Sequence, residues 1–173
     1  MQLICLFLSN VNLEFIELAQ EQQLQISKIV VPIDGSENSM EAADYAVKMA
    51  EKYGSQLAVV HVINIDQNIQ LLGIYRLSYP DPIKKKIEEA RAEAQKWFTE
   101  ITKNAEPRNV RVKTEIIDSP MSVVSTIVNY AEEEKADLIV IGTRGRSGIS
   151  KMLLGSVASG VVSYAPCPVV VLK

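Results

Sequence analysis

The chain has 173 residues, 47% of them hydrophobic and 23% charged, with a formal net charge of −3. Such values fit one globular domain of ordinary size and exclude a disordered chain. They also exclude an overall basic field that would recruit nucleic acid or an anionic membrane surface.

The N-terminus carries an apolar stretch, Leu3 to Leu8, but the first lysine is Lys28. A secretory signal needs a basic leading region, a longer apolar run and a small-residue cleavage site, and that combination is missing. Residues 1–25 read as an N-terminal extension of unknown role, with a short helix over Asn12 to Gln23 or an upstream start codon as explanations. The domain proper is expected over 26–173. No apolar run reaches the ~20 residues of a membrane span. Cys5 and Cys167 stand at opposite ends without metal-ligand spacing, which favours reduced thiols and a cytoplasmic location.

Ile26 to Asp34 (ISKIVVPID) is a β-branched run ending in Pro-Ile-Asp-Gly, the pattern of a strand entering a loop. Ser36, Asn38 and Ser39 offer caps for the next helix, which places Ala42, Ala46, Met49, Ala50 and Tyr53 on one face. Gly54 is the expected stop. Gln56 to Ile65 is a second strand. A loop is expected from Asp66 to Pro82, with Gly73, Pro80 and Pro82 as breakers. A long helix follows over Ile83 to Asn104, its stripe formed by Ile83, Ile87, Ala90, Ala94, Trp97 and Ile101. Trp97 reads as core.

Val110 to Ile117 alternates apolar and polar, as a strand near a sheet edge does. Asp118-Ser119-Pro120 reads as a helix cap followed by proline at the first helical position. That helix runs to about Lys135, with Val123 or Val124, Ile127 and Ala131 inward. Asp137 to Ile141 is a strand whose continuous apolar run, Leu138 to Ile141, is the mark of burial on both faces. Ser156 to Tyr164 is a helix of small residues and valines, and Val169 to Leu172 a last strand.

The order βαβαβαβαβ implies a single-domain, Rossmann-like α/β fold: an open parallel five-stranded sheet with helices on both faces. In such a sheet ligands bind beyond the strand carboxyl ends, where strand order reverses. If the order is 3-2-1-4-5, Asp34 and Gly142 flank that point.

Between Gly142 and Gly155 the chain holds Gly145, Gly148, Arg144, Arg146, Lys151 and several hydroxyls. Strand, glycine-rich basic loop and helix start are the parts of a phosphate cradle. Glycines let amides approach oxygens, and a helix N-terminus presents unpaired N–H groups. The loop is neither a Walker A pattern nor G-x-G-x-x-G. Asp34 suits the part of a ligand away from its phosphates, or a metal, since a bare carboxylate repels phosphate. Ser36 reads as a cap, His61 as a satisfied core histidine and Cys167 as a packing residue.

Gly142-x2-Gly145-x9-Gly155-Ser156 resembles the nucleotide-binding signature of the universal stress proteins, ATP-binding subclass. Collinear with it, Ile29 to Ser39 is similar to that family's first strand and loop, Val59 to Val62 to its second strand and Ala165 to Lys173 to its last. The resemblance implies sheet order 3-2-1-4-5, adenine-nucleotide binding (ATP, or ADP or AMP) and a homodimer. By the same resemblance Pro32, Ile33 and Asp34 meet the adenosine end, and Val62 contacts adenine through its backbone. Ile141 lines the pocket, and Gly142, Gly145, Gly155, Ser156 and Val157 hold ribose and phosphates; Arg144, a cation of that loop, is a candidate phosphate contact or a solvated loop charge. Any magnesium or manganese is expected on the phosphates, because no dedicated ligand cluster is present. The expected partners are an adenine nucleotide and a second copy through the C-terminal strand, with no nucleic acid and no membrane. The expected function is a dimeric, ATP-binding regulatory module of the stress response. A slow ATPase, which would need a water-orienting group the loop lacks, and a nucleotide-independent interaction module are the alternatives.

Overall fold

The structure is a computed structural model that describes residues 25–65, 81–143, 145 and 154–173. The expectations for residues 1–24, for most of the Asp66 to Pro82 loop, and for Arg144, Arg146, Gly148 and Lys151 lie outside the described residues.

Five strands form one sheet: β1 (Lys28–Pro32), β2 (Gln56–Asn64), β3 (Val112–Ser119), β4 (Leu138–Gly142) and β5 (Val169–Leu172). All pairings are parallel, as the alternation of elements predicts, and the order β3-β2-β1-β4-β5 is the one the family resemblance implies. The helices are α1 (Glu37–Tyr53), α2 (Asp81–Ala105), α3 (Val123–Glu133) and α4 (Ser156–Tyr164).

Strand alternation sorts the apolar runs into two cores. Ile29 and Val31 of β1, Leu57 and Val59 of β2, and Leu138 and Val140 of β4 share one core with Ala42, Ala46 and Val47 of α1 and Phe98 and Ile101 of α2. Val30, Ala58, Val60, Ile139 and Ile141 share the other with Ile127 and Ala131 of α3 and Ala158 and Val161 of α4. The central strands therefore read as unbroken apolar runs, while edge strand β3 is mostly half-exposed.

Local signals set the element ends. Ser36 caps α1 by accepting from the Ser39 amide at 3.3 Å, and Gly54 closes it in the left-handed region at φ 67°. Pro82 lies in the first turn of α2, where its missing N–H costs nothing, so it begins the helix instead of breaking the chain before it. The buried face of α2 holds Ala94 and Ile101 of the expected stripe and extends one residue past Trp97. Phe98 is buried in it, and Trp97 is only half-buried at its border. Tyr53, placed inward by periodicity, is 46% exposed on the last turn of α1.

The cap expected at Asp118-Ser119 does not form. β3 stays paired with β2 as far as Asn64↔Ser119, so those backbones belong to the ladder. The Asp118 carboxylate instead takes the Arg91 guanidinium of α2. Ser122 caps α3, accepting from the Ser125 amide at 3.1 Å.

At the opposite end of the sheet, Asp137 accepts the amides of Ser27 and Lys28 at 2.8 and 2.9 Å. Beside it Glu134 accepts from Lys28 Nζ at 2.7 Å and Lys113 Nζ at 2.5 Å. Hydrogen bonding to Lys113 first, then to Lys28, holds the Glu134 carboxyl below the usual range. A carboxyl lowered on folding stabilises in full above its unfolded value, ~4.3 for glutamate, and loses that contribution as pH falls through the folded value. Thermal melts from pH 7 down to pH 3 are therefore expected to show a smaller acid-side loss of Tm in Glu134→Gln than in the wild type. An unchanged acid limb in the variant would show that the network does not couple protonation to folding.

Candidate functional site

β1 stops at Pro32, but β2 continues to Asn64 against β3 alone. This leaves a crevice above the end of β1, between β2 and β4, at the reversal of strand order. Its cavity volume is about 230 Å³, just under the ~300–1,000 Å³ of sites that enclose a drug-sized ligand.

Pro32, Ile33 and Asp34 enter the crevice from the end of β1, and Val62 from β2. Ile141, Gly142 and Gly145 enter from β4 and its sequel, and Gly155, Ser156 and Val157 from the start of α4. These are the site residues named from sequence, apart from Arg144, which lies outside the described residues. Ser39, Val60, His61, Val123, Ile127, Thr143 and Ala158 also line the crevice and were not singled out as site residues. Val60, Val123, Ile127 and Ala158 carry the same apolar signature as the core, and Ser39 and His61 read as a cap and a core histidine. Thr143 could have been found from its place between Ile141 and Gly145.

The walls differ in chemistry. Ile33, Val60, Val62, Val123, Ile127 and Ile141 supply apolar surface. Backbone polarity enters along β2. The amides of Leu57 and Ile65 donate to Arg111 and Ser119, on the β3 side, so odd-numbered residues of β2 turn their backbone toward β3. Even-numbered residues face β1, and Val60 accordingly accepts from the Ile33 amide at 2.9 Å. Two residues on, the Val62 N–H and C=O face the same way, where β1 has ended. They form a donor–acceptor pair aimed into the crevice.

Asp34 is fixed at both ends. Its amide donates to Ser39 Oγ at 3.3 Å, and its Oδ1 accepts from the Ser36 amide and hydroxyl at 3.0 and 2.6 Å. A Cβ on Gly145 would stand 2.5 Å from Asp34 Oδ2, so only glycine lets the chain pass this close. A Cβ on Gly142 would stand 2.7 Å from the Asn38 carbonyl oxygen. Thr143 joins three elements: its amide donates to Leu172 at the end of β5, its carbonyl accepts from the Gly155 amide at 2.7 Å, and its Oγ1 accepts from Asn38 Nδ2 at 3.3 Å. Position 155, the N-cap of α4, is a glycine and supplies no side-chain cap. The first-turn amides of α4 therefore lack the usual hydroxyl acceptor, which suits an anion.

His61 is the satisfied, buried histidine expected of it and is also a wall of the crevice. Its Nδ1 pairs with the Ile33 carbonyl at 2.8 Å. Cys167 is half-buried against the α3–α4 core, and burial, with the Asp137 charge, pushes its thiol up. Among the described residues no group of three or more His, Cys, Asp or Glu side chains is placed to hold a metal ion, and no helix is long and apolar enough to cross a membrane.

An open parallel sheet with a glycine-walled crevice at its strand-order reversal defines a doubly wound α/β ligand-binding domain. The chain belongs to the universal stress protein family, whose family model matches residues 25–173. It is similar to a universal stress protein of Methanocaldococcus jannaschii, with 36% identity over 146 residues that cover 84% of this chain and 81% of the relative. Another relative, from Bacillus subtilis, is 34% identical over 151 residues, covering 85% of this chain and 99% of that protein. Among solved structures, universal stress protein UspA from Lactobacillus plantarum superposes with a TM-score of 0.70 at 27% identity, covering 86% of this chain and 99% of that one. Two structures that share the fold contain adenine nucleotides. A universal stress protein in complex with cAMP has a TM-score of 0.65 at 23% identity, covering 86% and 98%. One from Archaeoglobus fulgidus in complex with dAMP has a TM-score of 0.62 at 22% identity, covering 86% and 99%.

Proposed function

We propose that the crevice binds an adenine mononucleotide, ATP or its di- and monophosphates, and that the protein is a cytoplasmic, dimeric regulatory module of the stress response. The observation that carries this reading is the Val62 donor–acceptor pair beyond the end of β1, flanked by apolar side chains. It matches an adenine edge, on which an amino donor stands beside a ring acceptor, with Ile33, Ile127 and Ile141 supplying surface for the base. Asp34 then stands at the ribose, whose hydroxyls donate to it. The phosphates extend to Gly145, Gly155 and the α4 N-terminus, with Arg144 as a phosphate contact. A magnesium or manganese ion would be held by the phosphate oxygens. Asp34 has Oδ1 engaged by Ser36, which suits a binding role better than activation of water for hydrolysis. That other proteins with this fold hold cAMP and dAMP is consistent with the assignment.

Dimerisation through β5 is supported by its position. The strand is at the sheet edge, all four of its apolar residues are half-exposed, and Val162 and Tyr164 of the adjoining α4 are 48% and 72% exposed. Unpaired apolar edges of this kind are ordinarily covered. Isothermal titration with ATP, ADP and AMP is expected to give saturable binding, with GTP silent at the same concentrations. Light scattering is expected to give twice the 19.2 kDa chain mass. Absence of heat from all three adenine nucleotides would overturn the ligand assignment, and a monomeric mass the dimer.

A further inference from the structure

Two rings lock the turn that carries Asp34: His61, which lines the crevice, and Trp97, which stands behind it. Gly35 has φ 78°, and a Cβ built on it would lie 2.1, 2.3 and 2.7 Å from three carbons of the Trp97 indole. The indole therefore rests directly on the Gly35 backbone. His61 meets Trp97 edge-on, with ring centroids 5.3 Å apart and an interplanar angle of 80°, and the same His61 pairs with the Ile33 carbonyl. The residues on both sides of Asp34 are thus held, one by each ring, and the rings hold each other. Trp97 belongs to α2 and does not itself line the crevice.

We infer that Trp97 is a positioning residue for the nucleotide site, acting through Gly35 and His61 to fix Asp34, and that it links α2 to the occupancy of the crevice. The inference rests on the reading of the crevice as an adenine-nucleotide site. The physical ground is steric. The positive φ at Gly35 and the close approach of the indole leave the turn one arrangement, and that arrangement also places Asp34 Oδ2 against Gly145. Removing the indole frees the turn without touching any ligand-facing atom. Conversely, a ligand that draws on Asp34 or on the Val62 edge beside His61 changes the surroundings of the indole.

The test uses the full chain, in which Trp97 is the single tryptophan. ATP is titrated while heat and tryptophan emission are followed together. Emission is expected to change saturably with the calorimetric affinity. Trp97→Ala is expected to weaken ATP binding about tenfold, a typical strength of coupling between residues in contact. Trp97→Phe, which keeps a flat ring on Gly35, is expected to return to within about threefold of wild type on the same scale. Phe98→Leu, in the core beside it, is expected to lose stability without losing affinity, which separates positioning from general loosening of α2. Heat of binding with silent emission, or full affinity in Trp97→Ala, would overturn the positioning role while leaving the nucleotide assignment intact. No heat in the wild type would remove the nucleotide assignment, and this inference with it. Should Trp97→Ala fail to fold, the wild-type emission and Trp97→Phe still decide.

Discussion

Alanine at Gly145 is expected to weaken ATP binding about tenfold or more, a loss of ~1.4 kcal/mol, while leaving the melting temperature nearly unchanged. Alanine at Gly142 is expected to lower the melting temperature by roughly 2–12 °C. The two glycines lie three residues apart at one crevice, but their neighbours differ. A Cβ at 145 would meet Asp34 Oδ2 at 2.5 Å, the end of a side chain that can turn away. The fold survives that turn, but the carboxylate leaves the place where Ser36 holds it for the ligand. A Cβ at 142 would meet the Asn38 carbonyl oxygen at 2.7 Å and its carbon at 2.8 Å, and backbone in the first turn of α1 has nowhere to go. Overpacking of this kind costs ~1–3 kcal/mol, which at ~2–4 °C per kcal/mol for a domain of this size gives the stated fall. Calorimetric titration and thermal melts of both variants test the pair. Wild-type affinity in Gly145→Ala would show that the Asp34–Gly145 contact does not shape the site.

The fold was legible wherever one physical demand acted on a segment. β4 and β5 lie where unbroken apolar runs place them, and α4 spans the predicted Ser156 to Tyr164. Where two demands compete, sequence pattern alone misleads. Ser119 has the chemistry of a cap, but pairing with β2 claims its backbone first, and the cap passes to Ser122. In α2, Ala94 and Ile101 are buried as the stripe places them, while Phe98 shares the core with Trp97, whose indole lies at the border over Gly35. Asp34, Gly142, Gly145 and Gly155, which line the crevice, stood out in the sequence because their chemistry is unusual for a connection. Ile127 and Val123 were not, since an apolar side chain over a crevice and one in a core share a pattern. His61 was read as core from its strand position. Its contact with the crevice follows from where β1 stops, a length that periodicity does not encode.

Val62→Pro is expected to weaken ATP binding by ~10–100-fold while preserving the β2–β3 ladder. In most central strands proline removes a ladder bond. Here the Val62 amide points to the side where β1 has ended, and the bonds to β3 come from the odd-numbered neighbours of residue 62. His61 is already extended, so the restriction proline places on the preceding residue adds little strain. What is lost is a donor to the ligand and, with a pyrrolidine ring in front, the space an acceptor would occupy. Leaving a buried acceptor unpaired costs ~1–3 kcal/mol, and each ~1.4 kcal/mol is tenfold. The complementary change can be made in the ligand. Inosine triphosphate replaces the amino donor of adenine with a carbonyl, which would face the Val62 carbonyl, so the wild type is expected to bind it at least ~10-fold more weakly than ATP. Titration of both proteins with both nucleotides, with circular dichroism to follow the sheet, separates the backbone edge from the apolar walls as the source of affinity. Equal binding of ATP and inosine triphosphate by the wild type would mean that the base does not sit on this edge, and the crevice would then recognise the sugar and phosphates alone.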